Sequence, residues 1–165
     1  MSTKLSNTDR YPATPAQIMA MLSDPEYAKA KYTELGDVKF TVAEHKVDGD
    51  NLTVKVEREV TSNMPGAAKK VLGETSSMVQ TENWKAAGNG YACEMSVESP
   101  GKPLVIKVTQ KITAAGDTDA EWVADFDIKA SIPMLGGKIE KMVAEETKDS
   151  LAKEFAFNKE WLASH

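Results

Sequence analysis

Cysteine is almost missing from this sequence: Cys93 stands alone in 165 residues, so no intrachain disulfide can form. Histidine is nearly as scarce. His45 and His165 do not combine with Cys93 into a zinc-binding constellation, so neither a metal centre nor a cofactor is expected. Long apolar runs are lacking as well. None approaches the roughly 18 uninterrupted residues of a membrane span, and no apolar leader follows Met1, so the chain reads as cytoplasmic. There is no basic excess: a formal net charge of −5 works against nucleic acid or an anionic membrane surface, which call for a basic footprint. Lys69-Lys70 is too short a run to change that. Solenoid-period repeats and low-complexity linkers are also absent.

With 41% hydrophobic and 27% charged residues, the chain is too apolar for disorder and polar enough for a soluble globular fold. Its length suits one domain, residues 1–165, able to bury a core unaided by disulfide or metal.

The apolar pattern along the chain orders the elements. Leu5 to Tyr11 alternates weakly, and Ser6, Thr8 and Arg10 suit a strand near a sheet edge. Thr14 followed by Pro15 is a helix start, and Asp24 followed by Pro25 repeats it, giving two short helices that end near Gly36. From Val38 the period becomes two. Val38, Phe40 and Val42 share one face, and Leu52, Val54, Val56 and Val60 share another across the Asp48-Gly49-Asp50-Asn51 turn. The parity slips near Ala43, where a β-bulge would reconcile the two halves, and His45, out of phase with the strand's main stripe, is expected to be exposed. Asn63 to Gly73 reads as a turn and two helical turns, a segment able to gate a pocket. After an ambiguous strand from Thr75 to Lys85, three clear stripes follow: Tyr91, Cys93, Met95 and Val97; Leu104, Ile106, Val108 and Ile112; Trp122, Phe126, Ile128 and Ile132. Their opposite faces are charged, the mark of an antiparallel sheet packed on one side. From Pro133 to Leu162 an amphipathic pattern supports a helix of about 25 residues, long enough at ~1.5 Å rise per residue to cover a small sheet.

The order of strand, two helices, about six meandering strands and one long helix, entered through Pro133-Met134-Leu135-Gly136-Gly137-Lys138-Ile139-Glu140, resembles the START-like or Bet v 1-like helix-grip superfamily, which includes polyketide cyclases and lipid-transfer domains. Asn63-Met64-Pro65-Gly66, Glu82-Asn83-Trp84 and Ile132 to Glu140 further resemble an uncharacterised bacterial family within it. The resemblance implies an α+β fold in which seven antiparallel strands curl around the last helix, with a cavity between them for an apolar or amphipathic ligand. It brings no catalytic residue set with it.

On the last helix, Ile139, Met142, Val143, Ser150, Leu151, Phe155, Phe157, Trp161 and Leu162 gather on one face. Core packing accounts for such a face. Its polar interruptions at Glu146, Thr147, Ser150 and Glu154 point instead to a pocket wall in the middle. Arg58 shares parity with Val56, and Gln110 with Val108, so both are expected inside. A buried guanidinium needs a partner, for which Glu146 or Glu154 is the candidate, unless Arg58 snorkels to solvent from the strand end. Trp84 and Tyr91 are placed to cap a cavity mouth or to pack its rim. Met64, Met78, Met95, Met134 and Met142 suit an adaptable lining, though methionine also fills core gaps. The expected ligand-binding set is Arg58, Trp84, Tyr91, Met95, Val108, Gln110, Phe126, Ile128, Met142, Val143, Glu146 and Ser150. Gly136-Gly137-Lys138 is no phosphate loop, because Ile132 and Ile139 stand where that motif needs a glycine and a hydroxyl; close approach of helix to sheet explains it better.

Function follows from the lining. Binding or transport of a hydrophobic small molecule or lipid is the first reading. An enzyme of cyclase or hydrolase type, with Glu146 as acid or base and Arg58 holding an anion, is the second. A cochaperone-like interaction module is the third, and it requires a contiguous exposed apolar patch.

Overall fold

The computed structural model describes residues 2–61, 66, 69–70 and 73–165. Most of the Asn63–Gly73 segment, including Met64 and the expected gate, lies outside the described residues. In chain order the elements are β1 (Thr3–Tyr11), α1 (Pro15–Ser23), α2 (Pro25–Glu34), β2 (Lys39–Asp48), β3 (Asn51–Thr61), β4 (Thr75–Ala87), β5 (Gly90–Glu98), β6 (Leu104–Ala115), β7 (Asp119–Ala130) and α3 (Gly136–Ser164). The strands form one antiparallel sheet in the order β1-β7-β6-β5-β4-β3-β2. Strands β2 to β7 are therefore a pure meander, and β1 returns to pair with β7, as the helix-grip resemblance implies.

The local chemistry accounts for the element starts. Thr14 and Gln17 form a reciprocal capping box, each side chain accepting the other's backbone N–H, at 3.2 and 2.8 Å. Asp24 caps α2 by accepting from Glu26 N at 2.9 Å, and proline stands at the start of both helices, where no backbone donor is needed. The register between β2 and β3 slips between Val42 and Glu44, so the bulge lies where the parity change put it.

The long helix is bolted on at its start. A Cβ on Gly136 would lie 2.4 Å from the carbonyl oxygen of Ala130, so only glycine lets α3 approach the end of β7 this closely. Gly137, expected to serve the same approach, has open space around its Cα instead. Glu140, buried, accepts from Ala130 N at 3.0 Å and from Thr3 Oγ1 at 2.9 Å, tying the helix to both β7 and β1. Just ahead of the helix Met134 adopts a left-handed φ of 66° with its side chain fully exposed, the reverse of the pocket role expected for it. On the outer face of α3, Glu145 pairs with Lys148 at 3.0 Å, an exposed contact that contributes only a few tenths of a kcal/mol.

From this anchor α3 runs along β7 and β1 and meets α1 and α2 with its far half. The interior divides into two apolar clusters. One joins Ile18, Tyr27, Tyr32, Leu52, Val56, Trp84 and Ile112 beneath the short helices and the end of α3. The other joins Val97, Ile106, Val108, Ile128, Ile139 and Val143 beneath its beginning. Met95 packs against both.

Candidate functional site

Strand register brings the interior residues into rows. One row crosses the sheet through Leu5, Phe126, Val108, Met95, Glu82, Val54 and His45, and the next through Asn7, Ala124, Gln110, Cys93, Trp84 and Leu52. Between the two apolar clusters these rows hold Gln110, Glu82 and Asn7, so a band of polar groups crosses the inner face. Opposite it stands the middle of α3. Half-buried side chains line the boundary between the two clusters, a trough in the side-chain packing: Arg58, Met78, Met95 and Phe126 from the sheet, and Met142, Glu146 and Thr147 from the helix.

Arg58 is inside, but its partner is neither of the glutamates expected. Asp37, on the link from α2 to β2, takes its Nε and Nη2 in two hydrogen bonds of 2.8 Å, and Gln80 accepts from Nη1 at 3.3 Å. The guanidinium lies 4.5 Å above the ring centre of Tyr32. Burial works against the charge, yet the Asp37 hydrogen bonds and the neighbouring Tyr32 hold the Arg58 pKa above its usual value. A fork already closed by a carboxylate and an amide is not available to hold a ligand anion.

From Gln80 the network continues through Nε2, which donates to Tyr32 Oη at 3.0 Å and to Glu82 Oε2 at 3.3 Å, and Glu82 Oε1 accepts from Trp84 Nε1 at 3.2 Å. The Glu82-Asn83-Trp84 motif thus sets a carboxylate and an indole side by side on the inner face. Trp84 is 2% exposed, a core residue and not a cap on a cavity mouth. It meets Trp122 edge-on, with ring centres 5.7 Å apart.

Glu154, the other expected partner of Arg58, belongs to Lys31. The buried ammonium lies 3.3 Å from Glu154 and over the rings of Tyr27 and Tyr32, 5.2 and 4.8 Å from their centres. Desolvation pulls the Lys31 pKa down, but Tyr27, Tyr32, Glu154 and Glu82 outweigh it and raise the pKa, so Lys31 is a fixed cation and not a free amine nucleophile. Nearby, Tyr27 Oη donates to Asn158 Oδ1 at 2.6 Å and Asn158 Nδ2 donates to Tyr11 Oη at 3.2 Å, latching the far half of α3 to α2 and β1. A cavity of about 10 Å³ between Tyr27, Lys31, Tyr32, His45, Glu82 and Trp84 has room for about one water. His45 lines it, with Nε2 3.4 Å from Leu22 O. This overturns the expectation that His45 is exposed, because the bulge shifts everything after Val42 to the opposite face.

Of the expected ligand set, Val108, Gln110, Ile128 and Val143 are buried, and Arg58, Tyr91, Met95, Phe126, Met142 and Glu146 are half-buried. Gln110 binds Trp122 Nε1 through its oxygen at 2.8 Å and points its amide nitrogen at Met95 Sδ, 3.3 Å away. Ser150 is a correction: it is exposed on α3 and does not line the trough. Burial pushes the Cys93 thiol up, which makes it an inert core group. The residues that sequence reasoning missed are Lys31, Asp37, Glu82, Trp122 and Asn158. Two of them had a usable signal: Glu82 shares parity with Trp84, and Trp122 stands in the same apolar stripe as Phe126 and Ile128. A second, open cleft of about 310 Å³ lies between α1 and the end of α3, lined by Gln17, Met21, Asp24, Trp161, Leu162 and His165. Among the described residues no helix is long and apolar enough to cross a membrane, and no group of three or more side chains could hold a metal ion.

Solved structures share this architecture. A START superfamily protein from Mycobacterium smegmatis is 18% identical, with a TM-score of 0.61 over 96% of this chain and 98% of that one. The Zhui aromatase/cyclase from Streptomyces sp. R1128 is 9% identical, with a TM-score of 0.65 over 99% and 94%. Norcoclaurine synthase from Thalictrum flavum is 13% identical, with a TM-score of 0.64 over 100% and 88%. At such identities the likeness establishes the fold, that of the START and Bet v 1 helix-grip proteins. No curated protein matches the chain. Residues 6–162 match the family described as "Protein of unknown function (DUF2505)", and with nearly its whole length matched the chain belongs to that family.

Proposed function

We propose that the protein binds an apolar or amphipathic small molecule or lipid in the trough between the inner face of the sheet and the middle of α3. One observation carries this reading: the interior is two separate apolar clusters, and Met95, which packs against both, stays half-buried together with Phe126 and Met142, which pack against the second. A core evolved only for stability would close over them, since each fully buried side chain of that size stabilises by about 1.5–3 kcal/mol. Flexible thioethers suit a lining that adapts to its guest. The polar band of Gln110, Glu82 and Asn7, whose groups bond to Trp122, Gln80, Trp84 and Asp9, gives one side of the trough a polar character suited to a ligand with one polar end. The chain acts as a carrier or sensor in this reading. If a bound molecule is also transformed, Glu146 is the acid–base group we assign, as the carboxylate on the helix side of the trough. The interaction-module reading has less support: the large exposed hydrophobics among the described residues are Val38 and Val47 at the two ends of β2, and Val105 and Met134 near the start of α3, too few in either place for a contiguous apolar patch.

Fluorescence titration with anilinonaphthalene sulfonate, followed by displacement with fatty acids of graded length, tests the proposal. Saturable binding is expected, lost in Met95→Trp and Phe126→Trp variants that fill the trough while unfolding as cooperatively as the parent. A native chain that binds neither the dye nor any component of a lipid extract saturably overturns it. Turnover of a bound compound that stops in Glu146→Gln would assign the enzymatic reading.

A further inference from the structure

Charge is unevenly distributed between the two ends of the sheet. At one end the β2–β3 turn carries Asp48 and Asp50, the β6–β7 turn carries Asp117 and Asp119, and the α1–α2 junction carries Asp24 and Glu26; Arg10 pairs with Asp119 and Lys29 with Glu26, and the other four carboxylates leave this end acidic. At the other end the β5–β6 and β7–α3 connections lie side by side, joined by the hydrogen bond from Ser131 N to Pro103 O at 2.8 Å. Lys102, Lys129, Lys138 and Lys141 surround this corner, and all four are exposed. The carboxylates beside this corner are Glu140, which is turned inward onto Thr3 and Ala130 N, and exposed Glu98, the cross-strand partner of Val105, so the four lysines outnumber the exposed acid.

At the apex of the corner stands Met134. Its side chain is 103% exposed relative to the free residue, beside exposed Pro133, and its backbone is held at φ 66°, a region that Cβ crowding disfavours for any L-residue but glycine. Packing does not explain this methionine, since it touches no core. Val105, the cross-strand neighbour of Lys129, adds a second exposed apolar side chain on the adjoining strand.

We propose that this corner docks the protein on an anionic lipid surface, with Met134 entering the headgroup and acyl boundary and Lys102, Lys129, Lys138 and Lys141 facing the headgroups. Charge complementarity selects this occupant: an unpacked apolar tip ringed by lysines matches a surface that is negative outside and apolar just beneath. The net charge of −5 does not oppose it, because the acidic turns lie at the far end and the resulting dipole orients the basic corner toward the surface. The proposal is independent of the ligand reading, since none of these residues lines the trough.

Cosedimentation of the full chain with phosphatidylcholine vesicles, with and without phosphatidylserine, is the test. Binding is expected only with phosphatidylserine, and it should weaken as salt rises. Lys138→Gln and Lys141→Gln should each weaken it by about fivefold, and Met134→Ser by about tenfold. All are exposed positions, and matching thermal unfolding will confirm that each variant folds. Equal binding to both vesicle types, binding to neither, or variants that bind like the parent overturns the proposal. Retention on a polyglutamate surface without vesicle binding would assign the corner to an acidic protein and overturn the lipid assignment.

Discussion

Asp37 grips Arg58 from a position 21 residues earlier in the chain, through two hydrogen bonds of 2.8 Å, with the carboxylate side chain 1% exposed and the arginine 13%. Breaking such a pair leaves a buried charge stranded, so Asp37→Ala is expected to destabilise by about 3–5 kcal/mol. Arg58→Met should lose a similar amount. The double variant Asp37→Leu with Arg58→Met should recover much of it, because an apolar pair leaves no charge behind. Urea unfolding of the three variants reads this. Additive losses would show that the two residues act separately.

Alkaline stability depends on the groups around Lys31. Burial pushes the Tyr27 and Tyr11 phenols up, with Lys31 pulling Tyr27 and the Asn158 hydrogen bond pulling Tyr11 partway back. Lys31 is itself raised by Tyr27, Tyr32, Glu154 and Glu82 against its desolvation. In the unfolded chain the tyrosines titrate at 10.0 and the lysine at 10.5. Above those values the unfolded state holds fewer protons than the folded state, so stability is fully present below about pH 10 and falls as pH rises further. Each group contributes a slope of about 1.4 kcal/mol per pH unit. Urea midpoints across this range should fall steeply, and less steeply in Tyr27→Phe. Phenolate absorbance rising well before tertiary structure is lost would contradict the assignment.

Adjacent glycines should respond in opposite directions. Gly136→Ala drives a Cβ to 2.4 Å from the Ala130 carbonyl oxygen and must push α3 away from β7, whereas Gly137→Ala meets open space. The first is expected to destabilise by about 1–3 kcal/mol, and the second to stabilise by about 0.5–1 kcal/mol through helix propensity. Thermal unfolding of the pair distinguishes this from a shared role in close approach.

Met134→Gly removes the left-handed strain at φ 66° and loses no packing, since the side chain is fully exposed. The left-handed region costs an L-residue about 1–2 kcal/mol, and the flexibility of glycine in the unfolded chain offsets roughly half of that. A net gain of about 0.5 kcal/mol is expected, measured as a raised urea midpoint. A loss of stability would mean that the methionine makes a contact that its exposure does not reveal.

Much of the fold was legible in local pattern. Alternation identified the inner faces of β5, β6 and β7, the parity slip near Ala43 located the bulge, and Thr14-Pro15 and Asp24-Pro25 marked both helix starts. The candidate site was less legible. Arg58 was expected inside and is, but Asp37 sits on a link that carries no periodic signal. Lys31 lies in a helix whose buried positions also include Tyr27, Ala28 and Tyr32, so its burial depends on how α2 meets α3. Ser150 was drawn to the trough by helical spacing alone, but α3 runs along β7 and β1 near one side of the sheet and turns Ser150 to solvent.

By itself the sequence determined the long terminal helix, the one-sided sheet and the meander, because periods of 2 and 3.6 residues are properties of a single element read along its own length. Tertiary structure alone decided which polar groups meet inside: Arg58 with Asp37, Lys31 with Glu154, Tyr27 with Asn158. Those pairings depend on the rotation and offset of one element against another. The energy that sets them is spread over the whole packed interface, so no short stretch of residues encodes it.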